Sequence, residues 1–300
     1  MITHRTFCTQ HQVVRDNTCC PTFLLASGGP WLTVLGAIFT DKVVVQRLTD
    51  FVWVGTDTTL NEKNCYRVAH ILHSLGRSLR RLSNYYLSLT LDHIETSELH
   101  PRYLPSIRAY RDASSVIVNF TYVKPLERDA SCVTFLAKTL EHSPKSIVVK
   151  FVERYGEAAH KLLEEFDAAP RLHYYGKAGV NDGDPTYGDL HMVVMEYLDG
   201  MTANEAQRLG QIPPTFLEEV RKILSHLHEN NFVFGDLRSA NIMVTRNKKV
   251  KFVDFDWAGE DGASRYPLLM SHRIQWSDGV GEGLVLMKKQ HDLDMLNRLV

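Results

Sequence analysis

The chain has 300 residues, of which 44% are hydrophobic and 23% charged, and its formal net charge is −1 at pH 7. These values are typical of a globular protein with ample material for a buried core, and the length allows one large domain or two smaller ones. The near-zero charge gives no electrostatic reason to expect nucleic acid or an anionic membrane as a partner. Five scattered cysteines without metal-ligand spacing favour an intracellular, cytoplasmic location, with the nucleus as the alternative.

Residues 1–108 are expected to form an accessory region of mixed α/β structure. Residues 17–40 carry no charge, but Gly28-Gly29-Pro30 would break a membrane helix, so we expect a loop and then a buried strand. Apolar side chains at three- and four-residue steps from Val68 to Tyr85 predict a long helix. Its opposite face carries Arg67, Arg77, Arg80 and Arg81. A solvated surface is the simpler interpretation of that face, and docking of a partner is the alternative.

From residue 109 onward the predicted elements are three strands, a helix, a strand, and then a mainly helical part with a small hairpin. The predicted ranges are strands 115–124, 132–140, 146–153 and 191–197, helix 156–166, a helix containing Phe216 to Leu227, and strands 242–244 and 250–253. This order predicts an α+β, two-lobe fold. Its β-rich N-lobe would comprise residues 109–199 and its mainly helical C-lobe residues 200–300.

Three short segments carry residues suited to phosphoryl transfer. Asp236 and Asn241 bracket a predicted loop, and Asp254 follows the next predicted strand. Phosphoryl transfer needs a carboxylate that orients the acceptor hydroxyl, and oxygen ligands that hold Mg²⁺ on the nucleotide phosphates. Upstream, Lys150 ends the apolar run Ile147-Val148-Val149 of a predicted strand.

These motifs resemble those of the protein-kinase-like superfamily, in which D-L-x-x-x-N and a later D-F-G hold the active site. The wider resemblance is to the fungal-type protein-kinase-like family. Its marks are Phe234-Gly235-Asp236-Leu237-Arg238, Val253-Asp254-Phe255-Asp256-Trp257, Val149-Lys150-Phe151-Val152 and Tyr155-Gly156-Glu157, with Trp276 and His291-Asp292 in the tail. Gly235 before Asp236 is a feature shared with the choline and aminoglycoside kinases.

The resemblance implies a protein-kinase-like fold and an ATP-dependent transfer of the γ-phosphoryl group to a hydroxyl, with a Ser or Thr of a protein as the favoured acceptor. Asp236 and Arg238 are then the expected catalytic residues, and Asn241 and Asp254 the expected Mg²⁺ ligands. The expected ATP-binding residues are Lys150, its ion-pair partner Glu157, and the hinge residues Met195, Glu196, Tyr197 and Leu198. Glu153 and His160 are the alternative partners of Lys150.

The sequence also departs from the superfamily pattern. The segment from Lys124 to Ser131 contains no glycine where a Gly-rich phosphate loop is usual, and Asp256 replaces the glycine that ends the metal-binding triplet. Two alternatives to a protein kinase therefore stay open. One is a small-molecule kinase of the choline or aminoglycoside type, and the other is a pseudokinase that acts as a nucleotide-binding or interaction module.

Overall fold

The computed structural model describes residues 14, 18–39, 43–55, 62–89, 103–127, 133–181, 184 and 187–299. The chain separates into two compact units, Met1–Pro105 and Ser106–Val300. The domain boundary predicted after residue 108 stays a prediction. No helix among the described residues is long and apolar enough to cross a membrane.

The first unit contains a four-stranded antiparallel sheet. Its strands are β1 (Thr22–Gly28), β2 (Trp31–Phe39), β3 (Val43–Arg47) and β4 (Val52–Trp53). The sheet has the order β1-β2-β3, and β4 also pairs with β2. The expectation of a loop before β2 was wrong for residues 22–28, all seven of which pair with β2. Pairing satisfies backbone groups that an apolar segment would otherwise leave without hydrogen bonds, and Gly29 (φ +57°) makes the turn.

The predicted long helix is present as α1 (Glu62–Leu87). Val68, Ile71, Leu75 and Leu82 are half-buried, whereas Arg67, Arg77, Arg80 and Arg81 are exposed. Leu72, Leu79 and Tyr85 of the predicted apolar face are also exposed, so the apolar periodicity is matched in part, and the solvated basic surface stays a prediction.

The second unit begins with a six-stranded antiparallel sheet. In chain order its strands are β5 (Ala109–Arg111), β6 (Ile117–Pro125), β7 (Thr134–Thr139), β8 (Ser146–Val152), β9 (Leu172–Lys177) and β10 (His191–Glu196). The spatial order is β5-β6-β7-β8-β10-β9. Lys150 lies on the inner strand β8, opposite Thr134 of β7 and Val193 of β10. It is therefore not an edge lysine of the kind that improves solubility.

The rest of this unit is arranged around three longer helices and two small sheets. The elements are α2 (Glu157–Glu165), β11 (Gly200–Thr202), α3 (Ala203–Arg208), α4 (Phe216–Glu229), β12 (Phe232–Val233), β13 (Ile242–Thr245), β14 (Val250–Phe252), β15 (Gly259–Glu260) and α5 (Lys289–Leu296). Strands β11, β13 and β14 form one sheet, and β12 pairs with β15. This mixed structure is compatible with a protein-kinase-like fold, and the assignment of two lobes stays a prediction.

One apolar core joins α2 and α4 to the loops of the candidate site. It includes Leu163 of α2 and Leu224 of α4, together with Phe234, Phe252 and Phe255, all at most 1% exposed. The loops that carry the polar motif residues are therefore anchored by buried aromatic neighbours on both sides of the motifs.

We expect Leu163→Ala to lower the free energy of unfolding by about 2–5 kcal/mol, because it removes a fully buried side chain and leaves a cavity. Urea-induced unfolding followed by circular dichroism measures this change. Leu209→Ala is the matched control, since Leu209 is 60% exposed and should change stability by less than about 0.5 kcal/mol. Equal effects of the two substitutions would contradict this core.

Candidate active site

The loop that carries Asp236 is held by one buried carboxylate, that of Asp292 on α5. Asp292 Oδ2 accepts a hydrogen bond from the backbone N–H of Phe234 (2.7 Å), and its Oδ1 accepts one from the N–H of Gly235 (2.9 Å). Nε2 of His228, on α4, lies 3.0 Å from Asp292 Oδ2 and donates to it. Since Asp292 is only 1% exposed, these donors replace the water that its charge would otherwise need.

Gly235 makes the turn directly before Asp236. Its φ is +81°, a region that glycine adopts without strain. A Cβ at this position would also lie 2.3 Å from Met287 Cε. The glycine shared with choline and aminoglycoside kinases is therefore required by the backbone here, and by itself it identifies no substrate.

Asp236, Arg238 and Asn241 form one hydrogen-bonded group. Nε and Nη2 of Arg238 donate to the two carboxylate oxygens of Asp236, each at 2.5 Å, which is the bidentate geometry of strong charge pairs. Nδ2 of Asn241 donates to Asp236 Oδ2 (2.8 Å) and to the Asp236 carbonyl (3.0 Å). Because both of these partners are acceptors, the amide nitrogen faces them and the amide oxygen of Asn241 is left as an acceptor.

The hairpin formed by β13 and β14 returns the chain to this group. The N–H of Val253 donates to the carbonyl of Asn241 (2.9 Å), which places Asp254 directly after the contact. Asp254 has a φ of +69°, a conformation that costs a residue with a Cβ some energy and is concentrated at functional sites. Hydrogen bonds to Asp236 outweigh burial and raise the pKa of Arg238, and the charge of Asp254 adds to this effect.

Lys150 connects the sheet to the Asp254 segment. Its Nζ lies 2.5 Å from Asp254 Oδ1 and 2.7 Å from Asp256 Oδ2, and the residue is buried. Burial alone would lower the pKa of Lys150, but the two carboxylates more than offset it, so the pKa is raised. The ammonium group is therefore charged at neutral pH.

Asp256 is the second carboxylate on this ammonium group. Burial and the neighbouring charge of Asp254 raise the pKa of Asp256 to about 7, against the opposing effect of Lys150. One ammonium group cannot neutralise two carboxylates, and Asp256 therefore holds its proton to a higher pH than an ordinary aspartate does. Asp256 Oδ1 is buried and has no hydrogen-bond partner among the described residues.

The predicted ion pair between Lys150 and Glu157 was wrong for this structure. Glu157 is the first residue of α2, and its Oε1 lies 2.7 Å from Lys161 Nζ, one helical turn further on. Both side chains are substantially exposed, so the pair is a surface contact. Lys150 forms its ion pairs with the carboxylates of Asp254 and Asp256 instead.

The two alternative partners of Lys150 also lie elsewhere. Glu153 is exposed. His160 is fully buried and stacks on Phe255, with ring centroids 4.4 Å apart and planes 2° apart. Its ring nitrogens contact Tyr155 Oη (2.6 Å) and the Pro170 carbonyl (2.7 Å). His160 thus supports the segment that carries Asp254, without a contact to Lys150.

The predicted hinge residues lie at the end of β10. Met195 is buried against Val193 and Val152, whereas Glu196 is exposed and Tyr197 and Leu198 are half-buried. The N–H of Glu196 donates to the Arg171 carbonyl (2.8 Å), and that of Tyr197 donates to the Ser146 carbonyl (3.3 Å). These two N–H groups are therefore already engaged within the protein.

Several supporting residues were not assigned a role from the sequence. Arg154 donates to the carbonyls of Asp256 (3.0 Å), Arg265 (2.7 Å) and Trp257 (3.3 Å). Asp292 entered the sequence analysis only as a tail residue of the family pattern, and no sequence signal indicated that its side chain is buried. The glycine-free segment between β6 and β7 lies partly outside the described residues, at 128–132. No group of three His, Cys, Asp or Glu side chains suited to a metal occurs in the described part of the chain.

A family model and several curated proteins match parts of this chain. A family model described as the RIO domain, an atypical protein-kinase-like domain, matches residues 158–260, about a third of the chain. The match contains Asp236, Asn241 and Asp254 and begins after Lys150. It supports a relation to the protein-kinase-like superfamily, and the fungal-type family stays a prediction.

Curated relatives agree with that relation at low coverage. A Dictyostelium discoideum protein named as a probable serine/threonine-protein kinase is 40% identical over 88 residues, 28% of this chain and 12% of its own length. A Streptomyces coelicolor protein of the same description is 35% identical over 112 residues, 35% of this chain and 17% of its own. The Bacillus subtilis serine/threonine-protein kinase PrkC is 31% identical over 72 residues, 22% of this chain and 11% of its own. The chain thus spans less than a fifth of these relatives, which support a protein-kinase-like phosphotransferase.

We expect Asp292→Asn to destabilise the protein by about 3–5 kcal/mol. The amide keeps one acceptor oxygen, so one of the two loop N–H groups loses its partner in a buried site. Asp278→Asn is the control, since Asp278 lies in the same C-terminal part of the chain but is exposed. Urea unfolding of both variants measures the difference. A loss below about 1 kcal/mol for Asp292→Asn would show that the carboxylate does not hold the loop.

Stability should also fall with acidification because of His160. Burial, against a smaller opposing effect of the Pro170 carbonyl, lowers the pKa of His160 from 6.5 to about 4. The unfolded chain therefore binds a proton between these values that the folded chain does not, and stability present above pH 6.5 is lost as pH falls toward 4. The loss is at most about 3 kcal/mol.

Unfolding free energies measured between pH 7.5 and pH 4 test this effect. The decrease should be smaller by about 3 kcal/mol in His160→Gln than in the wild type, whatever the constant cost of the substitution. Parallel pH curves for the two proteins would show that His160 does not titrate in this way.

Proposed function

We propose that the chain carries an ATP-dependent phosphotransferase site that moves the γ-phosphoryl group of Mg-ATP to a hydroxyl group. The observation that carries this proposal is the 2.5 Å contact between Lys150 Nζ and Asp254 Oδ1, two residues 104 positions apart in sequence. The Asp236–Asn241 loop meets the same segment through the hydrogen bond from Val253 to Asn241. A phosphate-binding cation, a hydroxyl-orienting carboxylate and oxygen ligands for a metal are the set that phosphoryl transfer requires in one place.

In the proposed reaction Asp236 accepts the hydrogen bond of the acceptor hydroxyl, orients it toward the γ-phosphorus and takes up its proton, while the bond from the γ-phosphorus to ADP breaks and ADP leaves. Arg238 donates hydrogen bonds to both carboxylate oxygens of Asp236. Its positive charge would stabilise the negative charge of the transferred phosphoryl group. Lys150 holds the nucleotide phosphates from the sheet side. Positioning and charge neutralisation supply most of the catalysis in such a site.

Asn241 and Asp254 are the proposed Mg²⁺ ligands. The Asn241 amide oxygen is left free as an acceptor because its nitrogen faces Asp236, and Asp254 adds a carboxylate. Hard oxygen donors of this kind fit Mg²⁺, which keeps several waters and the substrate phosphates as further ligands. When bound, Mg²⁺ stabilises the negative charge of the phosphate oxygens.

The adenine base is proposed to lie against Met195 and the backbone from Glu196 to Leu198. The N–H groups of Glu196 and Tyr197 have protein partners, so backbone contacts to the base would come from the carbonyl groups and from Leu198.

A Ser or Thr hydroxyl of a protein is the proposed acceptor, and the names of the relatives support it. A small-molecule acceptor is the alternative that Gly235 first suggested. The turn geometry of Gly235 weakens that argument, because the glycine is explained by its φ and by Met287. A pseudokinase is the second alternative, supported by the absence of glycine between Lys124 and Ser131.

We expect Asp236→Ala to lower Mg²⁺-dependent phosphoryl transfer by about 10²–10⁴-fold, as the loss of a hydroxyl-orienting base does, with little change in the KM for ATP. Transfer from γ-labelled ATP to the protein itself and to a generic Ser/Thr protein substrate measures this. Asp199→Asn is the control, because Asp199 is exposed and pairs with Arg246.

The outcomes of this assay separate the candidate functions. Transfer to choline or an aminoglycoside, without transfer to protein, would favour the small-molecule kinase. A wild-type chain that binds Mg-ATP but transfers no phosphate to any of these acceptors would favour the pseudokinase. Wild-type transfer that Asp236→Ala leaves intact would contradict the assigned role of Asp236.

A further inference from the structure

Lys150 lacks the helix-borne glutamate that the sequence led us to expect. Among the described residues, the acidic partners of its Nζ are Asp254 (2.5 Å) and Asp256 (2.7 Å). Glu157 is engaged with Lys161 at the surface of α2. A buried ammonium group needs a partner in every state of the site, because an unpaired buried charge is costly.

The backbone of Asp256 is bonded to the segment that directly follows β8, the strand that carries Lys150. Arg154 lies two residues beyond the end of β8, and its Nε donates to the Asp256 carbonyl (3.0 Å). The other guanidinium nitrogens of Arg154 donate to the carbonyls of Trp257 and Arg265. The carbonyls of Asp256 and Trp257 are thus both bonded to Arg154, which keeps the Asp256 carboxylate beside Lys150.

Asp254 and Asp256, the two acids that pair with Lys150, differ in their other interactions. If Mg²⁺ binds the site, Asp254 becomes a ligand of the metal and its oxygens are shared with that cation. The side chain of Asp256 pairs with Lys150 through Oδ2, and its Oδ1 has no hydrogen bond among the described residues. Asp256 would therefore remain paired with Lys150 when Asp254 coordinates Mg²⁺.

We propose that Asp256 is the positioning residue for Lys150 and takes the place of the helix glutamate in holding the lysine toward the nucleotide phosphates. This inference rests on the proposed function for the phosphates, whereas the pairing itself does not. It accounts for one departure in the sequence, the acid where the metal-binding triplet usually has glycine, and for one in the structure, the pairing of Glu157 with Lys161.

The pairing can be tested without nucleotide, through the chemical reactivity of Lys150. The full chain is treated with acetic anhydride, and the acetylation rate at Lys150 is read by peptide mass spectrometry relative to the exposed Lys248. Asp256→Asn should raise that relative rate by about three- to tenfold, since the carboxylate that pairs with the ammonium group at 2.7 Å is lost and the amine becomes more accessible. Asp256→Glu keeps the carboxylate and should bring the rate back toward the wild-type value.

Two results would overturn the pairing. One is an unchanged Lys150 rate in Asp256→Asn, relative to the Asp199→Asn control, in a variant whose circular dichroism spectrum matches the wild type. The other is a larger increase in Glu157→Gln than in Asp256→Asn, which would return the role to the helix glutamate.

A second measurement addresses the phosphates. Isothermal titration with Mg-ADP should show about tenfold weaker binding for Asp256→Asn, with recovery in Asp256→Glu. Equal affinities of the wild type and Asp256→Asn would overturn the positioning role. A wild type that binds no Mg-ADP, while Lys150 reactivity still responds to Asp256→Asn, would uphold the pairing and overturn the proposed function.

Discussion

The candidate site depends on the hydrogen bonds that the buried carboxylate of Asp292 accepts from the loop before Asp236. A carboxylate that is 1% exposed must receive hydrogen bonds, and the donors available to it are His228 and the N–H groups of Phe234 and Gly235. These bonds fix the backbone immediately before Asp236. From there each contact constrains the next: Asp236 holds Asn241, and the Asn241 carbonyl holds the strand end that precedes Asp254. A local electrostatic requirement thus sets the geometry of a site built from distant segments.

On the sheet side of the site, the N-terminal end of α2 packs against the segment that carries Asp254. The N–H of Gly156 donates to the Phe255 carbonyl (2.8 Å), and a Cβ on Gly156 would lie 2.5 Å from the Ala258 carbonyl oxygen. His160, one turn into α2, stacks on the Phe255 ring. Helix α2 and the segment that carries Asp254 are therefore packed backbone to backbone. A shift of α2 would move Asp254 with it, so the helix contributes to the site through position although Glu157 does not reach Lys150.

Sequence patterns predicted the parts of this molecule whose determinants are local. The apolar periodicity of α1 and of α4, the strand runs of β6 to β8, and the loop–hairpin order from Asp236 to Asp254 all follow from residues close together in the chain. Strand β9 was missed, although Tyr174-Tyr175 is an aromatic run, because it lies between a helix end and a glycine-rich segment. The partner of Lys150 could not be predicted, since it depends on which of several acids the folded sheet brings within 3 Å. The same holds for Asp292, whose role appears only when α5 packs beside the loop.

We propose that Lys150, Asn241 and Asp254 form a nucleotide site that uses Mg²⁺. Equilibrium binding of ATP, measured by isothermal titration with and without Mg²⁺ for the wild type and Asp254→Asn, tests it most directly. We expect wild-type binding that strengthens by at least about tenfold with Mg²⁺, and a loss of that Mg²⁺ dependence in Asp254→Asn with the fold intact. Absence of ATP binding by the wild type, or binding indifferent both to Mg²⁺ and to the substitution, would contradict the account.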